Sequence, residues 1–130
     1  MSNELGRKGE DVAASFLEND GWTVVERNYR VRAGEVDIIA EQTFHTPRTR
    51  HVLAVVEVKT RRPRRNLHPE LSVTLKKRKT IVRVAKAYVR QRGLRNTVVR
   101  FDVIAVDWED DGPARIKHIC GAFDAQGRVT

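Results

Sequence analysis

Residues 34–61 read GEVDIIAEQTFHTPRTRHVLAVVEVKTR. Two strand-like runs stand in this stretch, about Glu35–Glu41 and Val52–Thr60, both rich in β-branched residues. The polar segment between them, Gln42–Arg50 with Pro47, reads as a loop closing a hairpin. In the second run Val52, Ala54, Val56 and Val58 fall on one face while Leu53 and Val55 fall on the other. Both faces are apolar for most of its length, which marks a central strand covered on two sides. Polar chemistry is confined to the strand ends: Glu35, Asp37 and Ile39 share a face of the first run, and Val55, Glu57 and Lys59 share a face of the second. As hairpin neighbours, Asp37, Glu57 and Lys59 converge. Two carboxylates so placed repel each other and lose hydration, a cost that a divalent cation relieves. A lysine beside them can hold a water and neutralise charge developing on a phosphate. An E-x-K triplet alone also fits a solvent-exposed strand edge with a cross-strand ion pair. The distinguishing feature here is a face that is apolar at Leu53 and Val55 and charged only at its end.

Working outward, residues 3–20 place Leu5, Val12, Ala13, Phe16 and Leu17 at helical spacing before Gly21. Gly6, Gly9 and Ala13 form a small-residue stripe on this helix, so its backbone is expected to approach a sheet closely. Thr23–Arg30 reads as a strand, joined tightly to the next through Ala33 and Gly34. Beyond Arg61 the string RRPRRNLHPE has no periodicity and reads as a basic loop. A second helix is expected from Ser72 to Arg92, stopped by Gly93, followed by strands over Val98–Val106 and Arg115–Cys120 around a turn at EDDGP. From Gly121 onward no pattern is legible. The order of elements gives an α/β fold: a mixed sheet flanked by helices with an αβββαβ core.

The chain of 130 residues is long enough for one domain, taken as 1–130, with a core of its own. Its 40% hydrophobic and 32% charged residues exclude a disordered tail. Apolar runs of four or five residues cannot span a bilayer, and no export signal opens the chain, so no membrane partner and a cytoplasmic location are expected. The single cysteine, Cys120, fits a reducing compartment and is expected in the core. His45, His51, His68 and His118 show no zinc-ligand spacing with one another or with Cys120. Arg100 and Asp102 share a strand face and are expected to pair; Trp22, Tyr29 and Trp108 are expected in core or edge packing.

The net charge of +8 raises the prior for a polyanionic partner. Its distribution is more telling than its size. Lys59, Arg61, Arg62, Arg64 and Arg65 follow directly on the acidic constellation, where they can clamp a nucleic-acid backbone; an ordinary solvated loop would look the same. In the second helix Lys76, Lys79, Arg83, Lys86 and Arg90 are spaced 3, 4, 3 and 4 residues apart and so lie on one stripe. Such a stripe gives affinity for phosphates without reading sequence.

Taken together, the GEVDIIA and VVEVKTR strings, the upstream helix with Gly9, Glu10 and Asp11, and the RFDVIAV strand at 100–106 resemble the YraN-like family of small bacterial proteins. That family is similar to archaeal Holliday-junction resolvases and to the restriction-endonuclease-like PD-(D/E)xK superfamily. The resemblance covers Gly6 to about Val106 and implies the same αβββαβ core. It implies that Asp37, Glu57 and the main-chain carbonyl of Val58 ligate Mg²⁺ or Mn²⁺, that Lys59 positions the attacking water, and that Glu10 is the helix glutamate such resolvases add. A plain surface acid is the competing reading for Glu10. One departure is that Val36, where the superfamily name has proline, precedes Asp37. The function expected is a DNA-binding, divalent-metal-dependent endonuclease acting on branched or structured DNA. The alternative is a non-catalytic DNA- or RNA-binding module with a vestigial metal site. The resemblance allows a homodimer, since resolvases of this fold cut two-fold junctions as pairs.

Overall fold

Alternation along the sequence becomes alternation across one sheet. A computed structural model describes residues 4–62, 68–109 and 112–130. Five strands, β1 (Thr23–Val31), β2 (Gly34–Phe44), β3 (Arg50–Arg61), β4 (Thr97–Asp107) and β5 (Arg115–Phe123), lie in the order β1-β2-β3-β4-β5. Neighbours are antiparallel except β3 and β4, which run parallel. A parallel pair needs a crossover, and helix α2 (Leu75–Arg92) supplies it. Helix α1 (Glu4–Asn19) precedes the sheet. The expected α/β core with helices flanking a mixed sheet is what forms, in an arrangement compatible with the restriction-endonuclease-like fold.

The two faces of β3 feed two cores. Val52, Ala54 and Val56 join Ile38, Ala40, Ile104 and Val106 under Ala13, Ala14 and Leu17 of α1. Leu53 and Val55 join Ile39, Phe101 and Val103 under Ile81, Val84, Ala85 and Tyr88 of α2. Burial on both sides explains the near-continuous apolar run of the central strand. The small-residue stripe has its expected use: a Cβ added to Gly9 would lie 2.0 Å from Thr60 Oγ1, so only glycine lets α1 settle on the end of β3.

Four boundaries differ from the sequence reading. β2 extends to Phe44 and β3 starts at Arg50, so the expected Gln42–Arg50 loop shrinks to residues 45–49. α2 does not begin at Ser72: Pro69–Ser72 forms a separate 3-10 turn, and the helix starts at Leu75 behind Thr74, whose hydroxyl accepts the Lys77 N–H. β5 continues to Phe123, because Ala122 and Phe123 are buried and Phe123 bridges to Val129. Cys120 is exposed on the β5 edge strand, not in the core. The aromatic expectation holds, with Trp22 buried and Tyr29 packed edge-to-face on Tyr88. No helix among the described residues is long and apolar enough to cross a membrane.

Candidate functional site

β2 and β3 are cross-paired from Phe44 and Arg50 up to Ile38 and Val56, where the ladder ends. In the same register the next two residues are Asp37 and Glu57. Asp37 takes the place of a ladder partner, its Oδ2 accepting the Val58 N–H at 2.8 Å. Glu57 is buried; its Oε2 lies 3.9 Å from Lys59 Nζ, and its Oε1 is buried with no hydrogen-bond partner among the described residues. Buried polar atoms are nearly always satisfied, and the partner at hand for the Glu57 carboxyl is that of Asp37, a hydrogen bond that exists only while one of the two keeps a proton. Burial, and after it the Asp37 charge, push the Glu57 carboxyl up to about 7. Burial raises Asp37 as well, opposed by the Val58 N–H and by Lys77. Near neutrality the pair is poised between keeping a proton and repelling itself, and a divalent cation can take the proton's place. The donor set of two carboxylates is hard and all-oxygen, which fits Mg²⁺ or Mn²⁺.

Glu10 comes in from the other helix. The close seat of Gly9 on Thr60 brings the next residue within the field of Asp37, and Glu10 hydrogen-bonds Asn28. Its carboxyl is raised first by burial and then by Asp37. Glu35 pairs with Arg30 at 3.3 Å, and its charge also raises Asp37 and Glu10.

The basic residues divide. Arg61 is tied to Asp107 by two hydrogen bonds of 2.7 and 3.0 Å, and Arg62 is exposed. Arg64 and Arg65 lie outside the described residues. Lys76, Lys79, Arg83, Lys86 and Arg90 are all exposed, on the side of α2 turned from the sheet.

The model of the uncharacterised protein family UPF0102 matches residues 9–106, an interval that holds Glu10, Asp37 and Glu57 and all of α2. The chain belongs to UPF0102. UPF0102 proteins of Desulforapulum autotrophicum and Symbiobacterium thermophilum are 43% and 40% identical to it, over 95% of both chains in the first case and over 96% of this chain and 100% of the relative in the second. A UPF0102 protein of Geobacter sulfurreducens is 41% identical, over 92% of this chain and 88% of its own.

This UPF0102 chain carries a second polar cluster that the sequence reading missed as a whole. Asp102, His118 and Cys120 present one donor atom each within 4.8 Å of one another, close enough to share an ion. Asp102 pairs across the strands with Val56, which puts it on the α1 face, opposite the row of Val55 and Glu57. Its oxygens already accept from Arg100 Nε and Nη2 at 2.9 Å each, His118 Nε2 at 2.8 Å and Gly121 N at 2.9 Å. Burial alone would raise the Asp102 carboxyl, but the hydrogen bonds from His118, Arg100 and Gly121 hold it below the usual range. An ion would have to displace the guanidinium, so the expected Arg100–Asp102 pair is a structural hub of this face. Partial burial and the Asp102 charge raise the Cys120 thiol, which is the opposite of an activated nucleophile. The signal for the cluster was the two-residue spacing of His118 and Cys120 on one strand face.

Proposed function

We propose that the protein is a divalent-metal-dependent endonuclease that hydrolyses phosphodiester bonds in DNA, with branched or structured DNA as its substrate class. The observation that carries this reading is the pairing of half-buried Asp37 with buried Glu57 where the β2–β3 ladder ends, with one Glu57 oxygen lacking a donor and Lys59 beside it. Asp37, Glu57 and the Val58 carbonyl would hold Mg²⁺ or Mn²⁺. A divalent ion there supplies Lewis-acid polarisation of a phosphoryl oxygen and a lowered pKa for the attacking water. Lys59 contributes an ammonium able to orient that water and offset charge on the phosphate. Glu10, with its raised proton affinity, stands at the margin as a further proton acceptor or ligand. The exposed stripe of α2 would track the DNA backbone and Arg62 would add to it, giving affinity rather than sequence preference. Resolvase-like action on a two-fold junction would call for a homodimer.

The test is incubation of purified protein with a four-way junction and a linear duplex in Mg²⁺ or Mn²⁺. Cleavage that disappears in Asp37→Asn while DNA binding persists is the expected result. Wild type that binds the junction but cuts nothing under these conditions would leave a non-catalytic nucleic-acid-binding module.

A further inference from the structure

Lys77 belongs to the same run of cations as Lys76 and Lys79, yet it points elsewhere. It precedes Ile81 by four residues and Val84 by seven, so it heads the helical row that faces the sheet, where Ile81 is 1% and Val84 0% exposed. Accordingly Lys77 is half-buried where Lys76 and Lys79 are exposed. Helical side chains lean toward the N-terminus, which carries this one past the buried row toward the strand ends. The turn it sits on is clamped to the start of β2, since a Cβ on Gly34 would lie 2.4 Å from Thr80 Cγ2. Asp37 is three residues from that glycine, in the end of β2 that has left its ladder with β3. Lys77 pulls electrostatically on Asp37, and on Glu57 ahead of Lys59. Among the described residues its ammonium is in no ion pair within 4.0 Å.

Formal charge indicates what such a lysine is for. Two carboxylates and one divalent ion sum to zero, Lys59 and Lys77 add two positive charges, and Glu10 at the margin removes one, which leaves the site with one uncompensated positive charge. An anion of the phosphodiester class supplies the balance. We propose that Lys77 is a second cation of the site, holding a backbone phosphate of the nucleic acid against the carboxylate pair. The assignment rests on reading Asp37 and Glu57 as a metal-dependent phosphodiester site. It differs from the α2 stripe in kind, because this cation faces the sheet and not the solvent.

The experiment measures binding of a duplex and a four-way junction by fluorescence anisotropy across a salt series in Ca²⁺, together with calorimetric Mn²⁺ titration of the protein alone. Wild type, Lys77→Gln, Lys77→Arg and Arg48→Gln are compared; Arg48 is an exposed charge in the loop at the opposite end of the β2–β3 ladder. Loss of one phosphate contact lowers the log–log salt slope by about 0.9, so Lys77→Gln should lose about three- to fourfold less affinity than wild type between about 50 and about 200 mM salt. Lys77→Arg and Arg48→Gln should keep the wild-type slope, and Lys77→Gln should bind Mn²⁺ at least as tightly as wild type. An unchanged slope in Lys77→Gln, with wild type binding both metal and DNA, overturns the assignment and leaves Lys77 as a counter-charge. Loss of Mn²⁺ binding in that variant overturns it too, because Lys77 would then be holding the carboxylates in place. If wild type binds neither Mn²⁺ nor DNA, the phosphodiester reading itself fails.

Discussion

Glu57→Gln separates the cost of the carboxylate pair from its use. In the metal-free protein, carrying a carboxyl from its ordinary 4.5 to about 7 amounts to about 3 kcal/mol at high pH. The folded chain binds the proton more tightly than the unfolded one, so between pH 4.5 and about 7 folding takes up a proton and stability falls as pH rises. Below that window the penalty is absent; above it the penalty is complete. Glutamine keeps the shape, carries no charge and relieves the repulsion on Asp37. Relative to wild type, Glu57→Gln should therefore be near-neutral at about pH 4.5 and more stable by up to about 3 kcal/mol at about pH 8. Urea unfolding of both proteins with EDTA across this range reads the difference directly. Manganese should then largely cancel that difference: at a hundred times its dissociation constant it stabilises wild type by about 2.7 kcal/mol and the variant hardly at all. A pH-independent difference between the two proteins, or a variant destabilised at every pH, would refute the view that burial and repulsion at this pair are uncompensated.

Other consequences can be checked in the same way. Gly9→Ala should cost about 1–3 kcal/mol in urea unfolding, since the new methyl meets Thr60 Oγ1 at 2.0 Å, and Thr60→Ala on top of it should recover part of the loss. Asp102→Ala strips the shared acceptor from Arg100, His118 and Gly121 and should cost about 3–5 kcal/mol, read as a lowered Tm. Lys79→Gln with Arg83→Gln, both on the exposed side of α2, should reduce the salt slope of DNA binding by about 2 without changing Mn²⁺ affinity.

The fold was legible wherever one residue type could serve only one face. The double alternation of Val52 to Val56 fixed β3 as central, and the glycine at position 9 announced a close contact before its partner Thr60 was known. Boundaries failed where the signal was not apolar. Ser72 closes a 3-10 turn begun at Pro69 and the Thr74 cap starts α2 at Leu75, later than the Ser72 expected, and Ala122 and Phe123 carry β5 past Cys120. Asp37 and Glu57 could be paired from strand phase alone, because one register brings both to the same end. Lys77 escaped for a physical reason: cations were grouped by the solvent-facing stripe, whereas its phase is that of Ile81 and Val84 on the buried side. Cys120 was misplaced because an edge strand buries its residues only as far as a helix covers it, and the sequence does not say where the cover stops.

Calorimetric titration of the metal-free wild type with Mn²⁺, beside Asp37→Asn and Glu57→Gln, bears most directly on the account. It predicts binding in wild type that both substitutions abolish, with DNA binding retained in all three proteins. Absence of Mn²⁺ binding in correctly folded wild type, or binding that survives both substitutions, would contradict it.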